Sequence, residues 1–359
     1  GQGDLPDISK LTVGAVDAGT CGMNCESGTI HCLPQGIVIG EAKCGTSEIR
    51  LWLQHHPKIR FAYGEPNFFS DKPAQMFHNY LETTKRWKFS KEDLDQNVVG
   101  MEKSPRYSQA YCQAAPSMKS LMPSVRLVLS LRDPVSRAYS GFRQHCRMQR
   151  LVLTKDDLVQ RCDAPGGKYY TCHVANPGDV VRRLANSKHD CSADNFHKYI
   201  LAQKTRFEEQ GLSIEDFRKK AESGGECVQA DVYFGEQIIS HSLYSSTLVE
   251  YYKHFDKHQL LVVFMEEFIS DPQAFMDRIQ SHVGVEHHKF ETTRGDNGYW
   301  LLKGHESQSK SQKMEAKHDE MKAETRDWLT KFYGVEVKRL KELLPDLSSH
   351  FDKWTVSTS

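Results

Sequence analysis

GIVIGEAKCGTSEIRLWLQHH, residues 36–56, decides the fold. Its first seven residues form a short apolar run rich in β-branched side chains, and the spacing of Ile49, Leu51 and Leu53 predicts a helix over 47–56. Between strand and helix, residues 40–47 make a glycine-containing turn with the length of a phosphate-binding loop. Backbone N–H groups there, with the helix N-terminus, can surround an anion. The loop departs from the kinase pattern, because Thr46 stands where a lysine should follow Gly45 and the lysine lies earlier, at Lys43. That displacement argues against ATP.

Working outward, NVVGME (97–102), VRLVLSLRD (125–133) and QLLVVFMEEF (259–268) are further buried-strand candidates, separated by stretches long enough for crossover helices. Strands spaced in this way predict an α/β fold, an open parallel sheet covered by helices on both faces. Residues 1–32 are rich in Gly, Asp and Cys without sustained periodicity and read as an irregular lead-in. The expected organisation is that segment followed by one domain over 33–359. A polar, cysteine-bearing insertion of about 147–230, holding one or two amphipathic helices, is expected to lie over the sheet edge. Helical patterning resumes at 242–255 and again at 314–344, where Trp328, Leu329, Phe332, Leu340 and Leu343 can share one apolar stripe.

The 359 residues carry 47 Lys plus Arg against 47 Asp plus Glu, so the chain lacks the global basic footprint of a nucleic-acid binder. An anionic ligand must therefore be held by local charge. No apolar run approaches the roughly 20 residues of a membrane span, and no membrane contact by the chain as given is expected. The ten cysteines form an even set that points to disulfides in a secretory compartment, although no Asn-x-Ser/Thr acceptor is present. Cys21, Cys25, His31 and Cys32 lack the paired CxxC spacing of a zinc site, and no metal is expected.

A second segment, VRLVLSLRDPVSRAYSGFRQ (125–144), is an apolar strand ending in Arg132, Asp133 and Pro134 and leading into a helix that bears Ser140. An arginine fork at a strand's C-terminal end, with a hydroxyl from the next helix, suits a terminal phosphate monoester. GEPNFF (64–69) adds Glu65, a candidate general base in a loop stiffened by Pro66. Phe68 and Phe69 are expected to exclude water there and seat a sugar ring. MEKSPRY (101–107) places Glu102 and Lys103 near the same sheet end. Histidines His55, His56, His145 and His241 are alternative bases, and HHP most resembles a helix end.

With LPQGIVIGEAKCGTSEI, SLY and DNGYW, these segments resemble, in order and separation, the PAPS-dependent carbohydrate sulfotransferases, PAPS being 3′-phosphoadenosine 5′-phosphosulfate. The similarity is to the heparan sulfate glucosaminyl 3-O-sulfotransferases and N-sulfotransferases, and it covers about residues 33–313. The resemblance implies a P-loop NTPase-like fold, PAPS as donor with PAP as product, and no required metal. It implies that Lys43, Cys44, Gly45, Thr46 and Ser47 form the 5′-phosphosulfate loop and that Arg132 and Ser140 bind the 3′-phosphate. Glu65 would be the base, with Lys43 and Lys103 acting on the transferring group and acceptor. Tyr299 of DNGYW, with Ser309 and Lys310, would also bind the donor; Ser309, Lys310 and Lys313 lie in SQSKSQK (307–313), a partial echo of the family's C-terminal substrate loop, although the cysteines that bracket that loop in the heparan enzymes are missing.

The implied partner is a carbohydrate, an anionic glycosaminoglycan-like polysaccharide. The implied place is the Golgi lumen or another secretory compartment, as the lumenal part of a membrane-anchored enzyme. Arg143, Arg147, Arg150, Arg161, Arg182 and Arg183 are candidates to line an acidic-glycan groove. The alternatives are a small hydroxylated metabolite as acceptor, a P-loop kinase, and a non-catalytic glycan-binding protein.

Overall fold

The computed structural model describes residues 5–62, 64–83, 89–147, 151–153, 158–163, 169–171, 191–223, 225–295, 300–304 and 319–354, with side chains left out for 82, 83, 151–171 and 222. The chain divides into two compact units, residues 1–132 with 247–316, and residues 133–246 with 317–359.

The first unit opens with a hairpin, β1 (Cys21–Asn24) and β2 (Thr29–Cys32), in which Cys21 and Cys32 are cross-strand partners joined by a disulfide. The lead-in expected to be irregular therefore contains paired structure. Four-residue strands are too short to show a period, and the covalent bond supplies what the pattern does not. Two of the three cysteines in the group Cys21, Cys25, His31 and Cys32 are thus bonded to each other.

The main sheet is wholly parallel. Its strands are β3 (Gly36–Gly40), β4 (Ile59–Phe61), β5 (Val99–Lys103), β6 (Arg126–Leu131) and Leu260–Phe264, in the spatial order Leu260–Phe264, β6, β3, β5, β4. On one face, Val38, Val99, Met101, Val128 and Val263 pack with Ile49, Trp52 and Leu53 of the first helix, α1 (Thr46–Leu53), and with Met276 and Ile279 of the helix Pro272–Val283. The alternate residues Ile37, Ile39, Leu127, Leu129 and Leu131 are buried as well. A sheet buried on both sides must be flanked by helices, as the run of β-branched residues predicts.

Two details differ from the sequence expectation. β4 is an edge strand of three residues, below the length at which a pattern shows. The expected strand 259–268 stops at Phe264 and turns into the helix Met265–Ser270. There the Glu267 carboxylate accepts the Phe264 N–H at 3.0 Å and pairs with Arg278 at 2.6 Å, so a side chain takes over from the ladder.

In the second unit, the helix Pro134–Arg147 starts where Asp133 accepts from the Ser136 N–H at 3.0 Å. Its apolar face joins Phe196, Tyr199, Ile200 and Phe207 of the helix Ala193–Gln210. The insertion contains this helix and Ile214–Glu222, matching the amphipathic pattern, and also three short antiparallel strands that the pattern does not announce. Cys146 and Cys191, 45 residues apart, are disulfide-bonded across its start. In the helix Ala323–Leu343 the buried stripe runs through Leu329, Tyr333, Val337 and Leu340, while Trp328 and Phe332 are only partly buried.

Candidate active site

All sheet strands run the same way, so the residues after β3, β5 and β6 gather at one edge of the first unit. The loop after β3 is shaped by two glycines. A Cβ on Gly40 would lie 2.1 Å from the Ser108 hydroxyl oxygen, and one on Gly45 would lie 2.2 Å from the Met265 sulfur. Gly45 also has φ of +80°, a region L side chains rarely adopt. Lys43 adopts φ of +75° without being glycine, which marks a backbone held in place by its surroundings.

Those surroundings include Glu41, which the sequence reading passed over. Its buried carboxylate accepts from the Ala42 N–H at 2.8 Å, the Ser108 hydroxyl at 2.7 Å and the Gln109 amide at 3.0 Å. The Ser130 hydroxyl donates to the Cys44 carbonyl at 2.5 Å. Side chains thus fix the loop from beneath, leaving α1 to begin at Thr46 with no side-chain cap on its first amides. A helix start without a side-chain cap, next to Lys43 and Ser47, is an arrangement that can accept an anion.

Arg132, at the end of β6, has a guanidinium nitrogen 3.5 Å from the Lys43 carbonyl, so the two sequence-predicted donor contacts belong to one neighbourhood. Ser140 is buried on the helix Pro134–Arg147 of the second unit. Tyr299, Ser309, Lys310 and Lys313 lie outside the described residues.

Glu65 and Lys103 meet. The Lys103 ammonium is 2.5 Å from a Glu65 carboxylate oxygen and 3.5 Å from the Ser47 hydroxyl. Lys103 is buried and Glu65 is 44% exposed, so the pair presents its carboxylate outward. The expected aromatic platform is corrected by the structure. Phe68 and Phe69 are buried, packed on Tyr80 and Tyr107 with ring centroids 5.0–5.6 Å apart, so they anchor the loop from inside and offer no face to a sugar.

Beneath them Glu102 is wholly buried and accepts the Tyr80 hydroxyl at 2.8 Å, with the Tyr107 hydroxyl close by. Burial pushes its carboxyl up to about 7, while the tyrosine hydroxyls oppose the shift. Of the alternative bases, His56 is buried with a ring nitrogen 2.8 Å from the Glu286 carbonyl, and burial lowers its pKa. His55 bonds the Leu51 carbonyl at its helix end, and His241 faces Asp231 at 3.6 Å in the second unit. Among the groove arginines, Arg143 is buried over the Tyr139 ring at 4.6 Å, which makes it a packing residue. Arg147 is exposed, and the side chains of Arg150, Arg161, Arg182 and Arg183 lie outside the described residues.

The profile of the family described as Sulfotransferase domain matches residues 33–355. The chain belongs to this sulfotransferase domain family. Among curated proteins it is 24% identical over 293 residues to heparan sulfate glucosamine 3-O-sulfotransferase 3A1 of Homo sapiens, covering 79% of this chain and 53% of that protein. It is 23% identical over 331 residues to bifunctional heparan sulfate N-deacetylase/N-sulfotransferase 4 of Mus musculus, covering 90% and 31%. The sulfotransferase-family chain thus spans about a third to a half of these relatives. A solved sulfotransferase from Alicyclobacillus acidocaldarius aligns over 87% of this chain and 95% of its own, at 19% identity and a TM-score of 0.49.

Proposed function

We propose that this sulfotransferase-family chain moves a sulfuryl group from PAPS to a hydroxyl or amino group of a carbohydrate, a glycosaminoglycan-like polysaccharide. The observation that carries the reading is the position of the Lys103 ammonium between the Glu65 carboxylate and Ser47 of the anion-binding loop. That position puts a base and a donor site on two sides of one cation.

In the proposed step the acceptor oxygen or nitrogen forms a bond to sulfur as its proton passes to Glu65. The bond from sulfur to the bridging oxygen breaks, and its electron pair remains on the 5′-phosphate of PAP. Lys43, the Thr46 and Ser47 amides and the Ser47 hydroxyl face the charge that develops on that oxygen. Arg132 takes the 3′-phosphate. The names of the heparan sulfate relatives support the acceptor class. Disulfides at Cys21–Cys32 and Cys146–Cys191, with Cys112 and Cys227 also disulfide-bonded, support an oxidising compartment such as the Golgi lumen. No described helix is long and apolar enough to cross a membrane.

Calorimetric titration with PAP tests the donor half. Binding at micromolar levels or tighter that is lost in Arg132→Ala is expected, and absence of binding in the unaltered protein overturns the reading. For the base, Glu65→Gln is expected to keep PAP affinity and to cut kcat on the order of a hundredfold. Transfer from ³⁵S-PAPS to heparan, chondroitin, dermatan and small hydroxylated acceptors identifies the acceptor. Labelling of small acceptors alone would overturn the polysaccharide assignment.

A further inference from the structure

Glu65 is only half-covered, so something other than burial must hold its carboxylate on Lys103. The chain on either side of it is fixed at distant points. Before it, the Ala62 N–H bonds the Met101 carbonyl at 2.8 Å; after it, Phe68 and Phe69 are buried. Residues 64–67 between them contain two positive φ values, +79° at Gly64 and +51° at Asn67, and such a turn is not rigid by propensity alone.

A main-chain contact also ties this turn to the end of β5. The Asn67 N–H donates to the Ser104 hydroxyl oxygen at 3.0 Å. Ser104 is itself immobilised: it is completely buried, its N–H bonds the Val38 carbonyl at 3.0 Å, and its carbonyl accepts the Tyr107 N–H at 3.0 Å. It is also the residue directly after Lys103. The ammonium that pairs with Glu65 and the hydroxyl that holds the Glu65 turn therefore stand on consecutive residues of one locked strand end, and any displacement between them is small.

We infer that Ser104 is a positioning residue, whose hydroxyl holds the turn by the Asn67 N–H and so keeps the Glu65 carboxylate on the Lys103 ammonium beside Ser47. The inference rests on the reading of Glu65 as the base. Ser104 touches no reacting atom; it acts through the geometry of the turn. An error of about 1 Å in a reacting group costs up to about a hundredfold in rate.

The test compares Ser104→Ala and Glu65→Gln in the full chain. Ser104→Ala is expected to lower kcat for ³⁵S transfer from PAPS to heparan sulfate about ten- to a hundredfold, with PAP affinity within about twofold. Exchange of the Asn67 amide, read by hydrogen–deuterium exchange, should accelerate at least about tenfold; this readout needs no acceptor. If Ser104→Ala keeps both kcat and slow exchange while Glu65→Gln is inactive, the positioning role is wrong and the base assignment stands. If Glu65→Gln keeps kcat, the base assignment itself fails. Should Ser104→Ala not fold, Ser104→Cys removes the strong acceptor at similar volume and is read in the same two ways.

Discussion

The loop that would take the donor, residues 41–47, and the turn that carries Glu65, residues 64–70, lie at the same sheet edge and are built by different means. In the first of these the backbone itself meets neighbours: Gly40 and Gly45 lie where a Cβ has no room, and Glu41 and Ser130 bond main-chain groups. In the Glu65 turn, the backbone is anchored through side chains that sink inward, Phe68 and Phe69 against Tyr80 and Tyr107, and through one hydroxyl. An anion site needs aligned amides and so restricts residue size. A base, the role proposed for Glu65, would need only to be aimed, and buried side chains behind it could do that.

Three changes would break or sharpen this contrast. The largest expected effect is Phe69→Ala, which empties a fully buried aromatic site under the Glu65 turn. It should cost about 3–5 kcal/mol of unfolding free energy in a denaturant titration. A loss below about 1 kcal/mol would mean that the aromatic anchor does not hold the turn.

Next comes the pH dependence that Glu102 imposes. Burial raises its carboxyl from the ordinary 4.5 to about 7, so the fold favours the protonated form. The stabilising contribution is full below about 4.5, declines as pH rises, and is gone above about 7, a difference on the order of 3 kcal/mol. Glu336 in the second unit, buried and accepting from Ser245, is also pushed up to about 7 and adds a slope of the same sign. Stability measured from pH 4.5 to pH 8 should therefore contain a falling component that Glu102→Gln reduces and does not abolish. An unchanged slope in Glu102→Gln would show that the buried carboxyl does not take up a proton on folding.

The smallest expected effect on stability is Gly40→Ala, about 1–3 kcal/mol, because the added methyl meets the Ser108 hydroxyl. The same variant displaces the partner that Ser108 supplies to Glu41, so PAP affinity should fall by more than the stability change alone predicts. PAP binding equal to that of the unaltered protein would show that the loop tolerates the shift.

The amino-acid sequence by itself determined the parallel sheet and the position of the glycine-bearing loop proposed to take the donor. GIVIG is β-branched on both faces and RLVLSL is mostly apolar on both, which a doubly covered sheet accommodates, and a glycine-bearing turn between strand and helix is local in the chain. Lys43, in the turn after β3, and Arg132, directly after β6, stand out as candidates for that reason, since both strands declare themselves.

Only the tertiary structure decided the rest. That Lys103 meets Glu65 across 38 residues, that Ser104 holds Asn67 across 37, and that Phe68 and Phe69 turn inward depends on which strands are neighbours. No local period encodes that. Glu41 escaped notice for the same reason, because its main partners, Ser108 and Gln109, are 67 and 68 residues away. The hairpin at Cys21–Asn24 and Thr29–Cys32 was hidden because its register is set by a covalent bond between two cysteines, which a reading of composition could count and could not pair.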